Sequence, residues 1–548
     1  MPQSTISAFQ KILKNVKSPD LVGDFATQFA LKRFVKKFEI PDTSTSSARR
    51  LATFEQWVEY DRSLKEVRLP HGSWYRARLK VHEALKDFRI GELTFTGGSS
   101  SSPLGGRQSV SDKLLTHDWE VSSDCADLFV NLAVNDKAFL KAGKIKLRKS
   151  LGDELYRNEV KRIYRIRHRS DDVKRWVLYS CLVPREASRY SVVPKNNAID
   201  RSIDLQQFIN MVVQRAIGTG IGKVLKKHFD LDLEVTQPIH GSMIRDSHWA
   251  TIDLRNASDS NTWSLLEFMA PKWFVNLVKQ ATPPFTEGLD GHFYMTNKVS
   301  SMGNGFTFEL MTLFLIALVR TLDPRGSVFG DDIVVNREHA ITLITALESA
   351  GWVVNKEKSF IDGPFRESCG FNYHESHGYI RSYDFTYPKT IGDCITFWNK
   401  SVLLSHIPFF RELCRVLYRA VPKALRGPVP NGIAAGPTHL SDISFDSYFF
   451  DRKYKLSFDS WLSNYADALN YPEWSYHEGY EFRATVRVRR RDNISISRSP
   501  HLYFQYMYAG RKSDIVMTGR GDWVKVGFLT NGQHSIRVKS LKELYPDL

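Results

Sequence analysis

The stretch Ser327–Asn336, S-V-F-G-D-D-I-V-V-N, narrows what this chain can fold into more than any other. Val328-Phe329 and Ile333-Val334-Val335 are β-branched or aromatic, which favours extended backbone on both sides. Gly330-Asp331-Asp332 between them is turn chemistry, since Gly and Asp tolerate the left-handed backbone of tight hairpins. The expected element is a short antiparallel hairpin with two adjacent carboxylates at its tip. Neighbouring anions repel, so an apolar hairpin gains nothing structural from carrying them. A divalent cation removes the repulsion, and Mg²⁺ prefers hard carboxylate oxygens. A solvated turn is the alternative reading, and a third carboxylate arriving from elsewhere would decide against it.

At 548 residues the chain is too long for one core, so several subdomains are expected. Its 42% apolar and 25% charged residues are those of a globular protein. The net charge of +16 points to a polyanionic partner, and 12% aromatic residues would suit base stacking, though most of them must lie in the core. Five cysteines, at 125, 181, 369, 394 and 414, show no C-x-x-C spacing. Zinc and disulfide frameworks are therefore not expected, and a reducing cytoplasm fits. No secretory signal is expected, and no apolar run reaches the ~20 residues of a membrane span. Met1 to Lys17 reads as a surface helix, with a targeting peptide as the alternative.

Along the chain, the first ninety or so residues read as mostly helical, interrupted by a polar linker at Pro41–Ser47. Gly97–Gly106 (GGSSSSPLGG) reads as a linker, or an Ω-loop meeting RNA backbone. Lys144 to Arg175 is densely basic, with Tyr156 and Tyr164 interleaved: a phosphate-facing surface or a solvated helix face. A short extended run from Arg189 ends at the Pro194-Lys195-Asn196-Asn197 turn and presents Arg189, Lys195 and Arg201 close together, a cluster suited to a triphosphate or an ordinary basic loop. Beyond Gly392 the signals fade: a helix over His406–Ala424, a Pro/Gly-rich connection over Gly427–Gly436, and a basic alternating strand over Arg483–Arg491.

Trp249–Leu254 reads as a buried strand carrying Asp253 near its end, followed by a polar turn with Asp259. Asp259 and Ser260 would also serve as an N-cap for a helix over Trp263–Met269. Ser300–Thr307 is a glycine-rich turn, with Gly303 and Asn304, opening an apolar helix over Phe308–Leu322; glycines there permit close backbone approach, and a helix N-terminus favours anions. A helix over His339–Ala350 stopped by Gly351, and a strand over Trp352–Val354, complete the region. The simplest assembly is an antiparallel sheet backed by two helices, with Asp253, Asp331 and Asp332 meeting at one sheet end.

Five stretches in this order, V-P-K-N-N-A-I-D-R (193–201), D-L-R-N-A-S-D-S (253–260), S-S-M-G-N-G-F-T-F-E (300–309), F-G-D-D-I (329–333) and G-P-F-R-E-S-C-G (363–370), resemble the RNA-directed RNA polymerase subunit of the small single-stranded RNA bacteriophages. The family's usual Tyr before Gly-Asp-Asp is Phe329 here. The resemblance implies an α+β right hand of fingers, palm and thumb. Residues 1–245 would form the N-terminal region and fingers, 246–262 and 299–392 the palm, 263–298 a fingers insertion, and 393–548 the thumb and C-terminal region. It carries over Asp253, Asp331 and Asp332 as ligands of two Mg²⁺ ions, for which Mn²⁺ would substitute, with Asp332 in a supporting role. Lys195 and Arg201 would contact the triphosphate, joined by Arg189 from the basic cluster read above, with Asp259, Gly303 and Asn304 beside the incoming nucleotide. Lys358 is the candidate proton donor to pyrophosphate and Lys356 its rival.

The implied partners are an RNA template, the nascent strand and ribonucleoside triphosphates. Host elongation factors Tu and Ts and ribosomal protein S1 would join them in the bacterial cytoplasm, with no membrane involved. A reverse transcriptase shares such a palm, but usually walls off the sugar with an aromatic where this chain has Ser258 and Asp259. A non-enzymatic RNA-binding protein would explain the charge but not three convergent acids.

Overall fold

The computed structural model describes residues 23–38, 46–64, 72–95, 99–101, 110–167, 170–195 and 199–380, parts of 383–420, and four short strands beyond residue 484. The readings for Met1–Lys17 and Gly427–Gly436 lie outside the described residues, as do most of Pro41–Ser47 and most of Arg483–Arg491. The chain divides into two compact units, one of residues 44–194 and 200–380, the other of residues 1–43, 195–199 and 381–548. The fold is α+β.

In the second of these units, helix Phe25–Lys37 places Phe34 among Phe385, Phe397, Phe409 and Phe410, mostly edge-to-face. The expected helix near 406 is observed as Pro408–Ala420.

The first unit carries every acid singled out above. Its sheets are β1 (Trp119–Val121) with β2 (Leu182–Pro184), and a four-stranded sheet β4-β3-β7-β8 made of β3 (Ala187–Pro194), β4 (Asp200–Leu205), β7 (Phe285–Glu287) and β8 (Phe293–Tyr294). A three-stranded antiparallel sheet has the order β5-β10-β9, with β5 (Trp249–Ile252), β9 (Ser327–Phe329) and β10 (Asp332–Asn336). The pair β6 (Leu254–Arg255) with β11 (Val353–Val354) continues beyond Asp253. Finally β12 (Phe365–Ser368), β13 (Phe371–His374) and β14 (Gly378–Tyr379) form a meander.

Val328, Ile333, Val334 and Val335 are all fully buried, so both faces of the central sheet are covered, as their unbroken apolar run requires. Helices Thr307–Leu322 and Arg337–Ser349 both pack against it. The first is apolar on all sides because it is enclosed: Leu310 through Val319 are buried without interruption. The second stops where expected, with Gly351 in the left-handed region at φ 84°. A buried histidine ties β9 to β12. His240 bonds Ser327 Oγ through Nε2 and Ser368 Oγ through Nδ1, both at 2.9 Å. Burial pushes its pKa down to about 4, so it is a neutral hydrogen-bonding post at ordinary pH.

The Gly97–Gly106 loop departs from the linker reading at its centre. Ser100 and Ser101 are buried, and Ser101 donates its amide to the Gln206 carbonyl (3.0 Å) and its hydroxyl to Glu120 (2.5 Å). A serine run can dock in this way because each hydroxyl can satisfy a buried polar group, which composition alone does not reveal.

Candidate active site

Asp253 sits between β5 and β6, where the chain passes from one strand partner to the next. Its backbone is clamped: the carbonyl accepts from the Asn355 amide (2.8 Å), and its own amide donates to Ser359 Oγ (3.2 Å). Ile252 pairs with Ile333, so the next residues, Asp253 and Asp332, lie across from each other at the same sheet end. Asp331 occupies the two-residue turn between Phe329 and Asp332. The register thus brings all three expected acids to one edge.

Gly330 alone takes the left-handed backbone in that turn, at φ 62°. Its amide donates to Thr312 Oγ1 (3.1 Å), and a Cβ would come within 2.4 Å of the Phe308 ring. Phe308 in turn packs edge-to-face on Phe329, with centroids 4.8 Å apart, and the pair forms an aromatic wedge under the tip. Gly330→Ala is expected to lose about 2 kcal/mol of stability by combining positive φ with this overlap. Urea unfolding measures it, and a loss below about 0.5 kcal/mol would mean that the tip adapts freely.

Electrostatics at the edge are those of crowded anions. Burial pushes the Asp253 carboxyl up; Lys358 and Asn355 pull it back, and Asp331 and Glu367 push it further up. Asn355 donates to Asp253 Oδ2 at 2.5 Å, and Lys358 Nζ stands 3.8 Å from the same oxygen. Asp332 is raised to about 7, by burial first and then by Asp331; a hydrogen bond from the Cys369 amide opposes this. Cys369 (φ 51°) and Gly370 (φ 81°) form the left-handed turn of the β12–β13 hairpin. The purpose of G-P-F-R-E-S-C-G is thereby visible: its turn aims a backbone N–H at Asp332.

Because the folded value of Asp332 exceeds its ordinary 3.8, ionising it opposes folding. That penalty is absent below the ordinary value, grows as pH rises from about 4 to 7, and is constant above. Asp332→Asn should therefore stabilise the metal-free chain at pH 8 by roughly 2–3 kcal/mol more than at pH 5. Melting in a chelator at both pH values is the check; an equal effect at both would contradict the assignment.

Among the described residues no three His, Cys, Asp or Glu side chains are gathered closely enough to enclose a metal ion. The donor set nevertheless fits one: three carboxylates at one edge, with burial first and the negative charge of Asp331 next among the raising causes that Asp253 and Asp332 share.

The nucleotide-side candidates are more dispersed. Val193, the partner of Arg201, is four residues from Arg189 on the same strand, so the two arginines stand about 13 Å apart along the sheet. The Arg189 guanidinium lies 3.6 Å from Glu287, and Asp200 is gripped by both sides of the Arg49 guanidinium at 2.8–2.9 Å. Arg201 is exposed. Lys195 falls in the other unit, where its amide donates to the Ile199 carbonyl. Gly303, at φ 116°, presses on β4, where a Cβ would meet the Asp204 carbonyl at 2.3 Å. Here the close approach that glycine allows is to the protein's own backbone. Asn304 Oδ1 accepts from the Phe306 amide (3.1 Å) and so shapes the same turn.

Asp259 is not the helix cap that its position in the sequence allowed. Thr262 is the N-cap of helix Trp263–Met269, its hydroxyl accepting from the Leu265 amide at 3.1 Å. Asp259 lies instead in a 3₁₀ turn, Ala257–Ser260, against Lys298 (3.7 Å) and Ser301. Asn355, Lys298 and the Cys369 amide are the site components that sequence reading missed. None sits in a distinctive pattern, although Asn355 is only three residues before Lys358.

The segment that contains these acids has recognisable relatives. Residues 177–381 match the family "RNA replicase, beta-chain". All five stretches that carried the resemblance lie within residues 177–381. Over 208 residues the chain is 37% identical to the RNA-directed RNA polymerase subunit beta of Enterobacteria phage SP, covering 35% of each chain. Over 193 residues it is 38% identical to that of Qbeta virus strain MX1, covering 33% of this chain and 32% of the relative. It is 33% identical over 226 residues to the RNA-directed RNA polymerase beta chain of Enterobacteria phage fr, covering 37% and 40%. The match thus spans about a third of the length of the curated relatives. Among solved structures, the RNA-dependent RNA polymerase from bacteriophage phi12 aligns at 12% identity with a TM-score of 0.38, covering 76% of this chain and 75% of that one, a likeness too loose to build on.

Proposed function

We propose that this chain is an RNA-directed RNA polymerase that copies a single-stranded RNA genome from ribonucleoside triphosphates. The observation that carries this reading is the strand register placing Asp253 opposite Asp332, with Asp331 at the adjoining hairpin tip. The right-hand division into N-terminal region and fingers (1–245), a fingers insertion (263–298), palm (246–262 and 299–392) and thumb with C-terminal region (393–548) belongs to the same proposal.

Asp253 and Asp331, supported by Asp332, would hold two Mg²⁺ ions, with Mn²⁺ as a substitute. Such ions supply activation of the primer 3′-hydroxyl and neutralisation of the departing pyrophosphate. In the reaction, the 3′-oxygen bonds to the α-phosphorus as its proton leaves, and the bond from that phosphorus to pyrophosphate breaks. Lys358, reaching the acids from a half-exposed position, gives a proton to the leaving oxygen, a role its flexible ammonium suits better than that of Lys356. Asn355 holds Asp253 in one orientation throughout. Arg189, Lys195 and Arg201 would meet the triphosphate, and Asp259 and Asn304 the sugar side, with Gly303 shaping the turn that carries Asn304.

No described helix is long and apolar enough to cross a membrane. Work in the bacterial cytoplasm, alongside elongation factors Tu and Ts and ribosomal protein S1, is part of the proposal. Magnesium-dependent incorporation of ribonucleotides on an RNA template is the test. Preference for deoxynucleotides would indicate a reverse transcriptase, and binding without incorporation a non-enzymatic RNA-binding protein.

A further inference from the structure

Behind Asp259 the fold buries a cation that the reaction above does not use. The Lys298 side chain is 0% exposed. Its backbone is held on both sides, since the Trp263 amide donates to the Asn297 carbonyl (3.0 Å) and the Val299 amide to the Asn261 carbonyl (2.7 Å). Asn297 is further anchored through Asp61, whose carboxylate accepts its amide at 3.0 Å. Lys298 thus cannot swing out to solvent without undoing this strip.

The ammonium has unusual company. Nζ lies 4.2 Å from the centroid of Trp57 and 3.7 Å from Asp259 Oδ2, with no hydrogen-bond partner within 3.5 Å. Trp57 is itself fixed, buried against Phe54, Tyr190 and Tyr294. Desolvating an ammonium costs several kcal/mol unless charge nearby compensates. The compensation is the indole face, Asp259, and the buried Asp204, whose raised carboxyl Lys298 helps pull down. Burial likewise pushes Asp259 up, and Lys298 is the largest influence opposing it, followed by Ser301.

Ser300 Oγ and both side-chain amide atoms of Asn261 are buried without partners, each two residues from Lys298 or Asp259. The Asp259 side chain, 17% exposed, is the part of this group that reaches the surface.

We propose that Lys298, seated on Trp57, is the positioning residue for Asp259, fixing where its carboxylate points and so setting the preference for ribose in the incoming nucleotide. This rests on the polymerase reading above. A 2′-hydroxyl donates to a carboxylate held in place; without Lys298 the carboxylate is free to turn or to take up a proton, and discrimination falls.

The test compares GTP and dGTP incorporation by the full-length chain as wild type, Lys298→Met, Lys298→Arg, Asp259→Ala and the Lys298→Met/Asp259→Ala double variant. Lys298→Met should lower the ratio of kcat/KM for GTP over dGTP by about tenfold. Lys298→Arg should keep the ratio within about threefold, and the double variant should discriminate no worse than Asp259→Ala alone. Equal losses with both nucleotides, leaving the ratio unchanged in Lys298→Met, would overturn the inference and make the lysine a structural support. An unchanged ratio in Asp259→Ala would instead overturn the sugar-contact reading beneath it. Should Lys298→Met fail to fold, Trp57→Phe is read the same way: a several-fold smaller ratio supports the proposal, and an unchanged one rejects it.

Discussion

Purified Asp253→Asn and Asp331→Asn chains are expected to melt at or above the wild-type temperature and to make RNA at least about a thousandfold more slowly. Each change keeps the shape of the side chain and removes one charge. Asp253 sits at a strand junction, where its backbone bonds to Asn355 and Ser359 survive the substitution. Asp331 sits on a turn whose geometry rests on Gly330, Thr312 and Phe308. Packing is therefore untouched, while one proposed ligand of the divalent ions is lost. Relief of repulsion around Asp332, raised to about 7 in part by Asp331, favours the folded state in the Asp331 variant. Synthesis within a few-fold of wild type by either variant, with thermal melting as the control, would remove the metal-site assignment.

The second large effect is on sugar choice. Asp259→Ala should reduce discrimination against deoxynucleotides roughly ten- to hundredfold, because losing a hydrogen bond to a charged acceptor costs about 1–3 kcal/mol. A capping role would have predicted lost helix stability instead, and the structure removes that alternative by giving the cap to Thr262. Asp259 is set against Lys298 and Ser301, in the 3₁₀ turn Ala257–Ser260 that follows β6. Steady-state incorporation of GTP and dGTP on one template gives the ratio directly. An unchanged ratio would reduce Asp259 to a partner for the buried lysine.

Much of the central region could be anticipated from the residues because it is built from short-range regularities. The hairpin 327–336, the buried helix near 307–322, the helix stopped by Gly351 and the helix Trp263–Met269 each follow from side-chain period, β-branching or turn residues. Those preferences act within a few residues, so they survive whatever the rest of the chain does. The meeting of Asp253 with the hairpin was also inferable, since two buried strands ending in acids have few ways to pair. The strand over 249–254 was only nearly right: Asp253 interrupts it, because its backbone turns from β10 toward the segment 355–359.

Other features depend on contacts between distant segments, which no local pattern encodes. Arg189 and Arg201 looked clustered because they flank one turn, but the hairpin register spaces them along its length. Gly303 looked poised for a ligand, yet its missing Cβ makes room for Asp204, almost a hundred residues earlier. Both the cap of helix Trp263–Met269 and the turn of Asp259 were chemically open to the same residue, and packing chose between them. Lys298 is the clearest case. In the sequence it is one lysine among many, and nothing nearby predicts a buried ammonium. It becomes informative only when helix Ser46–Ser63 brings Trp57 beneath it and the turn after β6 brings Asp259 beside it, because the worth of a charge is set by the dielectric and the partners around it, and folding supplies both.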